Sequence, residues 1–389
     1  MTIRFVIPWY GDIPGGAERE CRRTAEELAA RSHGVEVWTT TIREFASNWN
    51  IPYHPEGSID TNGVMVRRFR ADVTDHTRFI SLNQKVLAGE ILGEQEERDF
   101  LAHSVNSRRL IEALSEEPAE ATFIIPYCFG LTVQAAYADP AHTWMIPCFH
   151  DEGYARFRVY SDLFPRLAGL VLHTQAEADL ISELHPTPAA ALRVLGEGVD
   201  VELSGDAASF IDRYGLPGRF LLYLGRKDQA KNAPELLRFF AYYRTRYPDS
   251  PLRLVMVGPG SVDIPAGVQP WVSDLGFIPR EHVLDALAAA ELLVQPSLHE
   301  SFSLVLMESW AFGKPALVNA GCQVTRQAVE AADGGLWYEG YPLFEAALQR
   351  LETDEKLRAT LGEQGRRYVT SNFTWSRIVE RYESLLASA

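Results

Sequence analysis

Short apolar runs of strand length recur along the whole chain, and most are followed by a polar or Gly/Pro-marked loop and a stretch of helical periodicity. They fall at residues 3–8, 35–40, 122–127, 143–149, 170–173, 220–225, 252–258, 271–278, 291–295, 315–319 and 336–339. Runs apolar on both faces suit strands covered by helices on each side, and parallel neighbours need a crossover helix between them. The rhythm therefore predicts an α/β chain with parallel sheets. At 389 residues it would ordinarily split into two domains. With 46% hydrophobic and 23% charged residues the composition is that of a globular protein, and no apolar run reaches the length of a membrane span. A formal charge of -15 argues against nucleic acid as a partner and against broad adsorption to anionic lipid. Residues 1–10 carry neither a basic lead nor a cleavage site, so no signal peptide is expected. Cys21, Cys128, Cys148 and Cys322 stand far apart with no metal-ligand spacing and read as reduced core residues of a cytoplasmic protein.

The most informative of these units starts at the strand 291–295 and continues through Ser297, Glu300, Ser301 and Ser303 into an apolar helix that Gly313 stops, with Pro315 two residues on. Its loop sits at the carboxyl end of a strand and the amino end of a helix, the place where open α/β sheets take ligands. Backbone amides near Phe302, Ser303 and Leu304 have no partner within the helix, and with the helix dipole they favour an anion such as phosphate. Glu300 before the first turn and Glu308 two turns in can accept hydrogen bonds from hydroxyls. A ligand with phosphates in the middle and hydroxyl-rich rings at both ends would suit that arrangement. The plainer reading makes Glu300 a helix-start carboxylate and Glu308 a solvated helix-face residue.

Other loops at strand ends carry candidates of their own. Gly15 and Gly16, in the turn from Pro14 to Glu18, let backbone approach a ligand and tolerate positive φ, although a plain turn fits as well. Arg226 and Lys231, five apart in a strand-to-helix loop, can converge on one phosphate, with Lys227 as the spare; a solvated basic loop is the alternative. Residues 42–109 read as irregular and rich in aromatic and charged side chains, with Arg67, Arg68 and Arg70 hinting at an anionic ligand. His150, followed by Asp151 and Glu152, ends another apolar run; a lone His there is more often packed or capping. No P-loop, zinc motif or nucleophile elbow is present, and Asp72 and Asp75 make no convincing metal site.

The stretch from Glu300 to Glu308 resembles the E-x7-E signature of retaining GT-B glycosyltransferases, in particular glycosyltransferase family 4, with Ser303 where the family usually has Gly. The likeness extends over nearly the whole chain. Gly15 and Gly16 resemble its GGAE-type loop, Arg226 and Lys231 its R-x4-K diphosphate pair, and residues 193–200 its crossing peptide, with Glu197 for the usual Asn. Gly276, Phe277 and Ile278 resemble the segment whose backbone pairs with the nucleobase edge. The resemblance implies a GT-B fold, two Rossmann-like doubly wound domains facing across a cleft. Residues 1–198 would form an amino-terminal acceptor-binding domain, 199–372 a carboxyl-terminal nucleotide-sugar-binding domain, and 373–389 a helix, capped by Thr374, that packs back onto the first.

It also implies an activity: retaining transfer of a sugar from a nucleotide-diphospho-sugar to an acceptor hydroxyl of a glycan, glycolipid or small molecule. His150 and Glu300 would contact the donor sugar, Glu308 the ribose, and Gly16 with Arg226, Lys231 and the amides of Phe302, Ser303 and Leu304 the diphosphate. Asp151, Glu152, Arg67 and Arg68 are the acceptor candidates. Since Arg226, Lys231 and the helix amides can neutralise the leaving group, neither metal nor cofactor is expected. Peripheral membrane contact and the oligomeric state stay open. The rival readings are a GT-B epimerase or phosphorylase and a non-catalytic nucleotide-sugar-binding protein.

Overall fold

The computed structural model of the chain describes residues 2–13, 15–216 and 218–388. Pro14, part of the turn discussed above, lies outside the described residues. The chain forms two compact units, residues 1–198 with 375–389, and residues 199–374.

In the first unit the described strands are β1 (Thr2–Val6), β2 (Gly34–Thr40), β3 (Gly57–Thr61), β4 (Val64–Phe69), β5 (Ala121–Ile124), β6 (Thr143–Met145), β7 (Gly169–Leu172) and β8 (Leu192–Val194). They form one sheet in the order β3-β4-β2-β1-β5-β6-β7-β8, parallel except for β3 against β4. The order reverses between β1 and β5, so the connections leaving those neighbours depart to opposite faces and open a crevice at their carboxyl ends. Ile3, Phe5 and Val6 of β1, Val35 and Val37 of β2, and Phe123 and Ile124 of β5 are all buried, as strands covered on both faces require.

Residues 42–109 are more regular than expected. Asn62 and Gly63 link β3 to β4 with φ of 55° and 80°, the two positive-φ positions of a type I′ hairpin turn. Every residue of β3 is exposed, so no apolar alternation marked it; the Asn-Gly pair was the available clue. Helices His76–Leu87 and Glu94–His103 follow, the first capped by Asp75, which accepts from the Arg78 amide at 3.0 Å. β6 is shorter than the expected 143–149, because Pro147 has no N–H for a ladder and Cys148 is left-handed at φ 55°. The final helix, Trp375–Ser388, starts three residues later than residue 372, where helix Glu355–Asn372 ends. It is held in the first unit: Glu383 accepts from Arg31 at 3.1 Å and lies 3.1 Å from His33, while Gly198 leaves room for the Trp375 ring, which a Cβ would meet at 2.2 Å.

The second unit contains β9 (Phe220–Leu224), β10 (Arg253–Val257), β11 (Val272–Asp274), β12 (Leu292–Gln295), β13 (Ala316–Asn319) and β14 (Gly335–Tyr338). Their order is β11-β10-β9-β12-β13-β14, all parallel, which is the 3-2-1-4-5-6 arrangement of a dinucleotide-type sheet. Its reversal lies between β9 and β12. Helix Leu304–Ala311 runs through the core, and helix Glu355–Asn372 packs close to it because Gly365 has no side chain where the Trp310 ring lies; a Cβ there would meet the ring at 2.3 Å. Trp310 Nε1 donates to the Gly334 carbonyl at 2.7 Å, so its one polar atom is satisfied in the core. Among the described residues no helix is long and apolar enough to cross a membrane.

Candidate active site

The loops leaving β9 and β12, the two strands at the reversal in the second unit, come together through their side chains. Lys231 Nζ donates to Glu300 Oε1 at 2.7 Å and to the His299 carbonyl at 3.2 Å. Gln295, the last residue of β12, donates from Nε2 to the same Glu300 oxygen at 2.8 Å and to Ser303 Oγ at 3.2 Å. Glu300 is thus clamped by a cation from one loop and an amide from its own strand. Asp228 organises the other loop: one of its oxygens accepts from the Lys231 amide at 2.9 Å and the other lies 3.3 Å from Arg226 Nε. The Arg226 side chain remains 64% exposed, so its charge is presented to solvent with only a weak surface partner.

Lys227 is not the spare phosphate ligand it was taken for. Its side chain is fully buried, donating to Asp274 at 2.7 Å and to the Gly258 carbonyl, and so ties the loop after β9 to β10 and β11. Gly258, at φ 133°, allows that closeness, since a Cβ would sit 2.0 Å from the Gly225 carbonyl oxygen.

Helix Leu304–Ala311 begins where expected, and its first turn is informative. The Ser303 carbonyl accepts from the amides of Leu306 and Met307, which leaves the earlier amides, those of Phe302, Ser303 and Leu304, outside the helical ladder. Phe302 can contribute only backbone, because its side chain is buried against Phe373 with ring centroids 5.0 Å apart. Ser303 has φ 72° and ψ 75°, the left-handed region, so the family's Gly has a conformational reason that a small side chain does not replace.

Glu308 departs from the plainer of the two readings of its role. It is no solvated helix-face residue, since its side chain is 2% exposed, and both its oxygens receive Arg280, at 2.6 and 2.8 Å. This fork fixes the orientation of the carboxylate. Nothing in the sequence links Arg280, at the start of helix Arg280–Ala289, to a residue 28 positions away; it was missed for that reason, as was Gln295 inside an apolar strand. Gly276 donates its N–H to Asp274 at 3.0 Å, and its carbonyl accepts from the Gly258 amide at 2.8 Å. Phe277 beside it is 70% exposed, and Ile278 is buried.

The candidates in the first unit sort differently. His150 Nδ1 lies 3.3 Å from Glu152 Oε1, and the same oxygen accepts from the buried Tyr127 hydroxyl at 2.8 Å. With Nδ1–H donating to Glu152, Nε2 is the ring nitrogen left to accept. Glu152 is thus engaged by Tyr127 and His150, whereas Asp151 is paired with Arg156 at 2.6 Å on the surface. Arg67 and Arg68 are neighbours on β4, so their side chains leave on opposite faces. Arg67 binds both oxygens of Glu117, at 2.7 and 2.9 Å, and lies over Trp38; Arg68 donates to the Tyr10 carbonyl at 3.1 Å. The basic cluster they suggested does not form. Gly15 has φ -177°, extended backbone open to any residue, so positive φ is not why it is glycine; its Cα abuts the Glu18 carboxylate. Gly16 opens helix Gly16–Ala30 into free space, with nothing within 4 Å of a Cβ.

Residues 212–368 match the family described as glycosyl transferases group 1. D-inositol 3-phosphate glycosyltransferase 1 of Catenulispora acidiphila is 31% identical over 239 residues, covering 57% of this chain and 57% of that one. The chain thus spans little more than half the length of such relatives, 57% and 53% for two of them. Among solved structures, sucrose-phosphate synthase from Thermosynechococcus elongatus is similar with a TM-score of 0.73 and 17% identity over 100% of both chains. HepE of Anabaena in complex with UDP-glucose gives 0.71 and 17% over 100% of both. At such identity the likeness is one of fold, two α/β units with parallel sheets, the GT-B fold.

Proposed function

Because the chain belongs, over residues 212–368, to the group 1 glycosyltransferases, we propose that it moves a sugar from a nucleotide-diphospho-sugar donor to an acceptor hydroxyl, with retention and without a metal ion. The observation that carries this reading is the junction of Lys231 and Glu300 at the reversal of the second sheet, with exposed Arg226 on the same loop. In the reaction the bond between the anomeric carbon and the diphosphate oxygen breaks, its electron pair leaving with the diphosphate. The acceptor oxygen bonds to the same face of that carbon, and its proton passes to the departing diphosphate oxygen.

Arg226, Lys231 and the amides of Phe302, Ser303 and Leu304 stabilise the charge that develops on the diphosphate. The carboxylate of Glu300 accepts from sugar hydroxyls, and Lys231, already beside it, counters its charge against the phosphates. Glu308, oriented by Arg280, accepts from ribose hydroxyls. His150, with Nδ1 turned to Glu152, offers Nε2 to the donor sugar. The HepE complex with UDP-glucose makes uridine donors the first to assay.

A thermal-shift panel of UDP, GDP, ADP and TDP sugars tests donor binding, because a ligand that binds the folded chain raises its melting temperature by mass action. One base should stand out. Turnover of the preferred donor is then followed by release of nucleoside diphosphate in chelator, and the anomeric configuration of the product by NMR. No shift with any sugar nucleotide would overturn the reading; an inverted product, or activity abolished by chelator and restored by a divalent cation, would overturn the corresponding part.

A further inference from the structure

The first unit holds a cluster of ligand-type side chains that the proposed transfer does not use. Glu20 on helix Gly16–Ala30, Cys148 after β6 and His173 after β7 place a carboxylate oxygen, a thiol and an imidazole nitrogen all within 4.8 Å of one another. Glu20 is central: one oxygen is 2.7 Å from His173 Nε2 and the other 3.8 Å from Cys148 Sγ. On the far side of the ring, His173 Nδ1 lies 3.4 Å from Glu177 Oε2. Glu177 is itself anchored by the amides of Phe149 at 2.6 Å and His173 at 2.7 Å. A carboxylate that orients the back of an imidazole whose other nitrogen faces further donors is the usual second layer of a metal-binding histidine.

Two further observations point the same way. Tyr382 is 1% exposed, its hydroxyl has no hydrogen-bond partner, and Glu20 and Cys148 lie within electrostatic reach of it. An orphaned buried hydroxyl within electrostatic reach of such donors calls for a partner. Cys148 is a non-glycine residue at φ 55°, a conformation that persists where surroundings impose it.

We propose that Glu20, Cys148 and His173 form a site for one divalent cation of the zinc type, with Glu177 orienting the His173 ring. One sulfur, one imidazole and one carboxylate suit Zn²⁺, while magnesium and calcium prefer all-oxygen sets. Zinc–ligand bonds of about 2.0–2.3 Å in a tetrahedron put ligand atoms roughly 3.2–3.8 Å apart. The Cys148–Glu20 separation already fits, and the Glu20–His173 hydrogen bond has to open slightly as the cation takes the place of its proton. Cys148 enters as thiolate, its proton and that of the Glu20–His173 bond pass to solvent, and the double positive charge balances the Glu20 carboxylate and the thiolate. Cys148 is partly exposed. Such a cation would clasp the start of helix Gly16–Ala30 to the ends of β6 and β7. It is a separate matter from the metal independence proposed for transfer.

The experiment uses the full chain, stripped with chelator and titrated with Co²⁺ and with Zn²⁺ alone. We expect one equivalent bound per chain, a thiolate-to-cobalt charge-transfer band with tetrahedral ligand-field bands, and a rise in melting temperature with zinc. Cys148→Ser should abolish the charge-transfer band and weaken uptake at least tenfold, and Glu177→Gln should weaken uptake about 10- to 100-fold while keeping the band at saturation. No saturable uptake by the unaltered chain, or uptake that Cys148→Ser leaves unchanged, overturns the proposal. Should Cys148→Ser not fold, zinc should protect Cys148 of the unaltered chain from alkylation, read by peptide mass; absence of protection overturns it equally.

Discussion

Replacing Arg280 by methionine isolates what the Arg280–Glu308 fork does. The Glu308 side chain is 2% exposed and that of Arg280 46%, so the substitution strands a buried carboxylate whose cation had one side in water. Breaking a fully buried pair costs about 3–5 kcal/mol. Here the half-exposed guanidinium was partly screened and water can reach its place, so the loss falls nearer the ~1.5–3 kcal/mol of a charge-assisted hydrogen bond. For a unit of the size of residues 199–374 each kcal/mol lowers the midpoint by ~2–4 °C, giving a drop of roughly 3–12 °C. Urea unfolding followed by circular dichroism measures the loss, and a double-mutant cycle with Glu308→Gln should return a coupling of about 0.5–3 kcal/mol. Calorimetry with the preferred nucleoside diphosphate separates fold from function: Glu308→Gln should lose about 1.5–3 kcal/mol of affinity. Arg280→Met, which keeps the carboxylate, should lose much less. A melt unchanged by Arg280→Met, or a coupling near zero, would refute the structural reasoning. Equal losses of affinity in the two variants would refute the separate ribose role of Glu308.

Arg226→Ala and Lys231→Ala should each lower turnover by about 100-fold or more, as expected when a cation facing a developing anion is removed, and normal rates in a nucleoside-diphosphate release assay would remove them from the mechanism. His150→Ala should reduce kcat and leave affinity for the bare nucleoside diphosphate unchanged; lost diphosphate affinity by calorimetry would contradict a contact confined to the sugar. Ser303→Gly should raise stability by about 1 kcal/mol by relieving the left-handed backbone at φ 72°, and a lowered melting temperature would show that the Gln295–Ser303 hydrogen bond outweighs the strain. His185 is buried, with Nε2 2.7 Å from the Ala155 carbonyl and Nδ1 2.8 Å from Ser161 Oγ, and burial lowers its pKa. Its contribution is present above the unfolded value of about 6.5 and is lost as pH falls through the depressed folded value. His185→Gln should therefore make the acid limb of a stability–pH curve shallower, and an unchanged limb would count against it.

The parallel α/β architecture was legible because a doubly covered strand must be apolar on both faces, and runs such as 220–225, 291–295 and 315–319 have no other economical place in water. The loop from Ser297 to Ser303 was legible for a related reason: strand, loop and helix in succession put a helix start at a sheet edge whatever the rest of the chain does. Local chemistry could also have exposed the Asn62-Gly63 hairpin, since its two positive-φ positions are written in the residues themselves. Partnership was a different matter, because which side chains meet depends on sheet order and on register. Lys227 and Lys231 look alike in sequence, yet one is buried on Asp274 and the other meets Glu300. Arg67 and Arg68 look like a basic pair, yet the pleat sends them to opposite faces. Glu308 reads as a surface carboxylate until packing buries it and brings Arg280 from another helix to hold it. Glu20, Cys148 and His173 show no metal-ligand spacing, and only the closeness of the ends of β6 and β7 to the first helix makes them neighbours, because chain distance says nothing about contacts made through a sheet.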